Sequence, residues 1–215
     1  MGNVAVITTK ENFENNGVGV YLYWNGGRDS VEAFLKYCEM HDYRSPSNDN
    51  YGWSYLTTII GNFFGDGSSV GVDTINHLYC DNGDNGVYII EGWKIVDRKF
   101  FEGTEQNSYD MNEMLKAIND AQPKKIKFPD ELFTSETVPT SSLKVGDKVF
   151  MFDNLYSNYS VQEVIGIGED KWVNGHKVLG IPYVDKYGKD DPSSNPNNYI
   201  FSEKIVISTS VNPVE

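Results

Sequence analysis

The chain is poor in cysteine, in positive charge and in long apolar runs. Its two cysteines, Cys38 and Cys80, have no metal-ligand spacing and build no disulfide framework. That excludes the small disulfide-stapled class and fits a reducing compartment, with one disulfide left open. Lys and Arg number 18 against 31 Asp and Glu, a formal net charge of -13. Such a balance argues against binding nucleic-acid polymers and against docking on an anionic membrane surface, because both need basic surface. The three histidines, His41, His77 and His176, are scattered, so no metal site is expected; no cofactor is expected either. No apolar run approaches the roughly 20 residues of a membrane span. The first residues lack the basic and apolar regions of a secretory signal, so a cytoplasmic protein is expected.

What is present is a folded composition, with 39% hydrophobic and 13% aromatic residues. Residues 17–38 organise it. Val18, Val20 and Leu22 alternate with Gly19, Tyr21 and Tyr23, the period of a buried strand. Gly26 and Gly27 mark a tight turn. Asp29 or Ser30 is expected to cap the helix that follows, since either side chain can accept an orphan amide proton. Val31, Phe34, Leu35 and Cys38 share one face of that helix. A strand, a glycine turn and a helix N-terminus together present amides to an anion. Arg28 adds a fork of donors suited to phosphate or carboxylate, and Tyr23 and Trp24 add flat surface beside it.

The remaining pattern predicts a first strand over 4–9, a polar turn over 10–16, and 18–23 as the central strand. A second helix follows at 53–64, with Trp53, Leu56 and Ile60 inward. A strand at 70–73, a dense turn at 81–86, a hairpin at 87–101 turning at Glu91-Gly92, and a helix at 110–121 complete an α+β domain over 1–122, of mixed α/β-sandwich type. Three prolines and a lysine cluster make 123–139 read as a linker. Residues 140–215 hold only short strands near 148–152, 161–167, 178–184 and 199–207, which predicts a small SH3-like β-barrel module. The segment from Ser142 to Phe150 resembles the first strand of many such barrels.

Two resemblances bear on function. Asn25-Gly26-Gly27-Arg28-Asp29-Ser30 resembles the pyrophosphate loop of PP-loop ATPases, usually Ser-Gly-Gly-x-Asp-Ser, with Asn25 in place of the first serine. That resemblance implies ATP phosphates held on loop amides and hydroxyls, in a larger parallel α/β domain than this sequence offers. Tyr23-Trp24-Asn25-Gly26, with Gly65-Asp66 and Ser68-Ser69 later, resembles small proteins carried by phages and mobile elements, over about the first hundred residues. That resemblance implies a protein that interferes with a bacterial host's defence. The expected function is binding: a nucleotide-derived small molecule is sequestered, or a defence protein is occupied. The candidate ligand-binding residues are Tyr23, Trp24, Asn25, Gly26, Gly27, Arg28, Asp29 and Ser30. The alternatives are a PP-loop-like nucleotide enzyme, for which the sequence positions no general base, and an acidic mimic of nucleic acid. Homo-oligomer formation stays open.

Overall fold

The computed structural model describes residues 3–47, 49–65, 69–133, 135, 137–153, 158–167, 171–173, 176–178, 182–184 and 204–206. The chain divides into two compact units, Met1–Lys127 and Phe128–Glu215. It is an α+β protein.

In the first unit, the strands are β1 (Ala5–Thr9), β2 (Val18–Leu22), β3 (Val70–Thr74), β4 (Val87–Glu91) and β5 (Lys94–Lys99). They form one mixed sheet in the order β3-β2-β1-β4-β5. β1 runs antiparallel to β2 and parallel to β4, with Ile7 beside both Val20 and Tyr88. The middle strand is therefore β1. The expectation that 18–23 is central is corrected by one place, because β3 takes only the outer side of β2. Every residue of β1 is buried, which explains its unbroken apolar reading.

The helices are α1 (Lys10–Glu14), α2 (Arg28–Met40), α3 (Tyr51–Phe64) and α4 (Met111–Ala121). α2, α3 and α4 pack on one another. Ala5, Ile7, Val20, Leu22, Tyr88 and Ile90, all at most 1% exposed, project from one face of the sheet by their strand parity. Val6, Val87 and Ile89 project from the other. There they form a smaller core with Ile75, flanked by Phe13, Tyr21 and Leu78. α1 supplies Phe13 to that second core. The polar turn expected at 10–16 is thus a one-turn helix, begun where Thr9 Oγ1 accepts the Asn12 amide at 3.2 Å. A five-residue helix is too short to display a 3.6-residue period.

α2 begins two residues before Ser30, so the expected cap is also corrected. Gly27 holds the N-cap position without a side-chain bond, and Asp29 lies inside the first turn. The 87–101 hairpin pairs Glu91 with Lys94, which places the turn at Gly92 and Trp93 rather than at Glu91-Gly92. α4 is capped by Asp110, whose carboxylate accepts the Glu113 amide at 3.0 Å.

The stretch 123–139 is not structureless. It carries 3-10 turns at Lys124–Ile126 and Asp130–Phe133 and the short strand β6 (Thr137–Pro139). Phe128 and Phe133 are buried, with ring centroids 6.3 Å apart. These apolar side chains give the proline-punctuated segment something to pack. The second unit continues with β7 (Lys148–Asp153), β8 (Asn158–Ile167), β9 (Lys171–Val173), β10 (His176–Val178), β11 (Pro182–Val184) and β12 (Lys204–Val206). β8 lies between β11 and β7, while β10 pairs with β9 and β12 with β6. Most of the expected 199–207 strand lies outside the described residues, as do Asp66 and Ser68 of the resemblance above.

Candidate functional site

The predicted site runs from the end of β2 into the first turn of α2. The Tyr23 amide donates to the Ser69 carbonyl at 2.9 Å, which ties the exit of β2 to the start of β3. Past that bond the backbone leaves the sheet. Tyr23 and Trp24 are 51% and 44% exposed, and their rings meet edge to face at 5.3 Å. Of the indoles at 24, 53 and 93, only Trp24 is exposed. Trp53 is core, and Trp93 donates its Nε1 proton to the Tyr43 carbonyl at 2.8 Å.

Asn25 takes a left-handed backbone, φ 53°, which asparagine tolerates better than most residues. Its amide donates to Ser30 Oγ at 3.5 Å. The Gly26 amide donates to the Asn3 carbonyl at 2.7 Å, and the Gly26 carbonyl accepts the Tyr88 hydroxyl at 3.0 Å. A Cβ at Gly26 would stand 2.7 Å from Ala5, so this glycine is required by the close approach of two backbones.

Several donors of the helix start already have partners. The Ser30 amide donates to Asp29 Oδ1 at 2.7 Å, and the Ser30 hydroxyl lies 3.3 Å from the same oxygen. The Asp29 amide donates to Gln106 Oε1 at 3.4 Å. Arg28 is shared between two carboxylates. Its Nε donates to Glu32 at 2.7 Å, and a terminal nitrogen lies 3.1 Å from Glu105. Burial alone would lower the Arg28 pKa, but its hydrogen bonds to Glu105 and Glu32 outweigh it and hold the value above normal.

Glu105 leads to residues that sequence reading missed. Both its oxygens lie 3.1 Å from Arg98. Arg98 stands opposite Tyr88 in the β4–β5 hairpin. Its guanidinium carbon is 3.7 Å from the centre of the Tyr88 ring and 4.0 Å from that of Phe101, so the cation lies between two aromatic faces. It also donates to the Asn85 carbonyl, in the Asp/Asn/Gly turn at 81–86. Burial lowers the Arg98 pKa, with Tyr88 and Glu105 opposing it. Tyr109 donates its hydroxyl to Glu32. No short motif connects Arg28, Arg98 and Glu105. The available signal was the pairing of a lone arginine with a tyrosine across a hairpin.

The surface thus brings together two arginines paired with carboxylates, a helix N-terminus and two exposed aromatic rings. Among the described residues no histidine is bonded to Ser30. Ser30 is buried, bonded to Asp29 and Asn25, while His77 pairs with Asp73 at 3.2 Å. Among the described residues no group of three or more His, Cys, Asp or Glu could hold a metal ion. No helix among them is long and apolar enough to cross a membrane. No family model, no curated protein and no solved structure matches this chain.

Proposed function

We propose that the protein is a non-enzymatic binding protein of phage or mobile-element type that inhibits a bacterial host defence from the host cytoplasm. Its ligand is a nucleotide-derived small molecule, taken at residues 23–30. The observation that carries this reading is the continuity of the site. An exposed Tyr23–Trp24 pair passes through Gly26 and Gly27 directly into a helix start bearing Arg28. Flat surface for a base and donors for a phosphate are thereby a few residues apart. Occupation of a defence protein is the second form of the same reading. It is favoured by the exposure of both aromatic rings, since tyrosine and tryptophan are enriched at protein interfaces. In the second unit, the short strands are read as a small SH3-like module.

The test is paired. Protein purified from defence-active cells is denatured, and the released small molecules are identified by mass spectrometry. Arg28→Ala is then compared with wild type for melting temperature and for inhibition of the defence. Binding through Arg28 predicts a loss of affinity worth roughly 1.5–3 kcal/mol. A mere surface ion pair predicts at most about 1 kcal/mol of stability and intact inhibition. A variant unchanged in both assays would remove the site from residues 23–30.

A further inference from the structure

Arg28 is engaged by two carboxylates that differ in how they are held. Glu32 lies one turn along α2 and is carried by the same helix. Glu105 lies in residues 101–109, a stretch without helix or strand between β5 and α4. Its carboxylate stands 3.1 Å from Arg28 and 3.1 Å from Arg98. The adjoining Gln106 places its side-chain oxygen on the Asp29 amide, at the first turn of α2. One irregular segment therefore makes the contacts that an anionic ligand would make there.

Arg98 makes the position more than a helix end. Its side chain is 10% exposed, and its Nε is buried with no hydrogen-bond partner among the described residues. Glu105 is the carboxylate paired with it. A buried guanidinium is costly unless an anion faces it, and that requirement does not specify which anion. Beside the pair lies an open depression of about 520 Å³ between Arg28, Glu32 and residues 105–109. It leaves room for a group larger than a carboxylate.

We infer that Glu105 is a built-in substitute ligand: residues 101–109 form a strap whose carboxylate fills an anion site between Arg28 and Arg98, and a phosphate group enters by displacing it. The inference rests on the proposed binding reading and deepens it by naming the group that must leave. A phosphate offers more acceptor oxygens than a carboxylate, so it can bridge both arginines as Glu105 does and accept further bonds besides. α2 keeps Glu32 within one turn of Arg28 whatever its rotamer, whereas residues 101–109 have no ladder of backbone bonds to hold Glu105 in place.

The experiment compares full-length wild type with Glu105→Gln, which keeps the shape and removes the charge. Inorganic phosphate and AMP are titrated by calorimetry, and the Arg98 Nε–H signal is followed by NMR. The expected result is phosphate affinity roughly ten- to a hundredfold higher in Glu105→Gln. The Arg98 signal should shift on binding, and Glu105→Gln with Arg98→Gln should lose the gain. Equal phosphate affinity in wild type and Glu105→Gln overturns the strap. So does an Arg98 signal that phosphate does not move, a readout that stands if the double variant fails to fold. AMP separates the two claims. Wild type that binds AMP, with Glu105→Gln no tighter, refutes the strap and leaves the binding reading. Glu105→Gln that takes phosphate more tightly than wild type but does not take AMP supports the strap and refutes the nucleotide reading. No binding of either probe by either protein overturns both.

Discussion

Gly26 is where the residue scale constrains the fold most tightly. A Cβ there would be 2.7 Å from the Ala5 Cβ, the Ala5 amide nitrogen and the Asn3 carbonyl oxygen. Ala5 is fully buried in the middle strand, and the Gly26 amide is bonded to Asn3 at 2.7 Å, so neither backbone can retreat. Gly26→Ala is expected to cost about 1–3 kcal/mol by overpacking. Gly61 is the contrast. It lies inside α3, and a Cβ there meets nothing within 4 Å. Gly61→Ala is expected to stabilise by about 0.5–1 kcal/mol through helix propensity alone. Urea denaturation of both variants checks the pair, and a Gly26→Ala midpoint equal to wild type would refute the close-approach argument. Gly27 differs again. Its nearest obstacle is the Asp29 carboxylate at 2.7 Å, the end of a side chain that can turn aside. One glycine of the pair thus has a packing reason, whatever the loop binds.

At the scale of elements, the helix layer is joined by polar groups as well as by its apolar faces. Tyr37 of α2 is fully buried, and its hydroxyl lies 2.8 Å from Asn119 Oδ1 of α4 and 3.1 Å from the Ile126 carbonyl. Gln122 reaches the Ile59 carbonyl of α3 at 3.2 Å while accepting from Asn62 at 2.9 Å. Tyr37→Phe removes one hydroxyl and leaves the ring. It is expected to cost about 0.5–1.5 kcal/mol, read as a drop in urea midpoint without a change in slope. The elements themselves were legible where a period had room to repeat. Val31, Phe34, Leu35 and Cys38 mark α2, and Leu56 with Ile60 marks α3, and all six are buried. α1 was not legible, because Phe13 is its single large apolar residue and the cluster it packs against comes from β1, β4 and the Ile75–His77 turn. The candidate site was legible only in its local half. Residues 23–30 form a contiguous motif, whereas strand register sets Arg98 opposite Tyr88 and an irregular segment brings Glu105 to both arginines. Neither route leaves a periodic mark.

For the whole molecule, a net charge of -13 and 14 tyrosines make high pH the informative stress. Burial, with Cys38 and Tyr55 adding to it, pushes the Tyr43 phenol up to about 12. Burial and the bond to Glu32 push Tyr109 up to about 12 as well. Burial drives Tyr37 and Tyr88 upward too, although Arg98 opposes this at Tyr88. An acid whose folded pKa is raised favours the fold in its neutral form. The contribution is therefore fully present below the ordinary tyrosine value near 10, and it is lost as pH climbs through about 12. Each phenolate formed also adds a negative charge to a chain already repelling itself. The expected outcome is a folding free energy that holds to about pH 10 and then falls steadily towards pH 12. Native tyrosines should also ionise at higher pH than those of the urea-unfolded chain. Urea titrations at stepped pH, with phenolate absorbance read in parallel, measure both. Coincident ionisation curves for native and unfolded protein would show that the phenols of Tyr37, Tyr43, Tyr88 and Tyr109 are not packed as described.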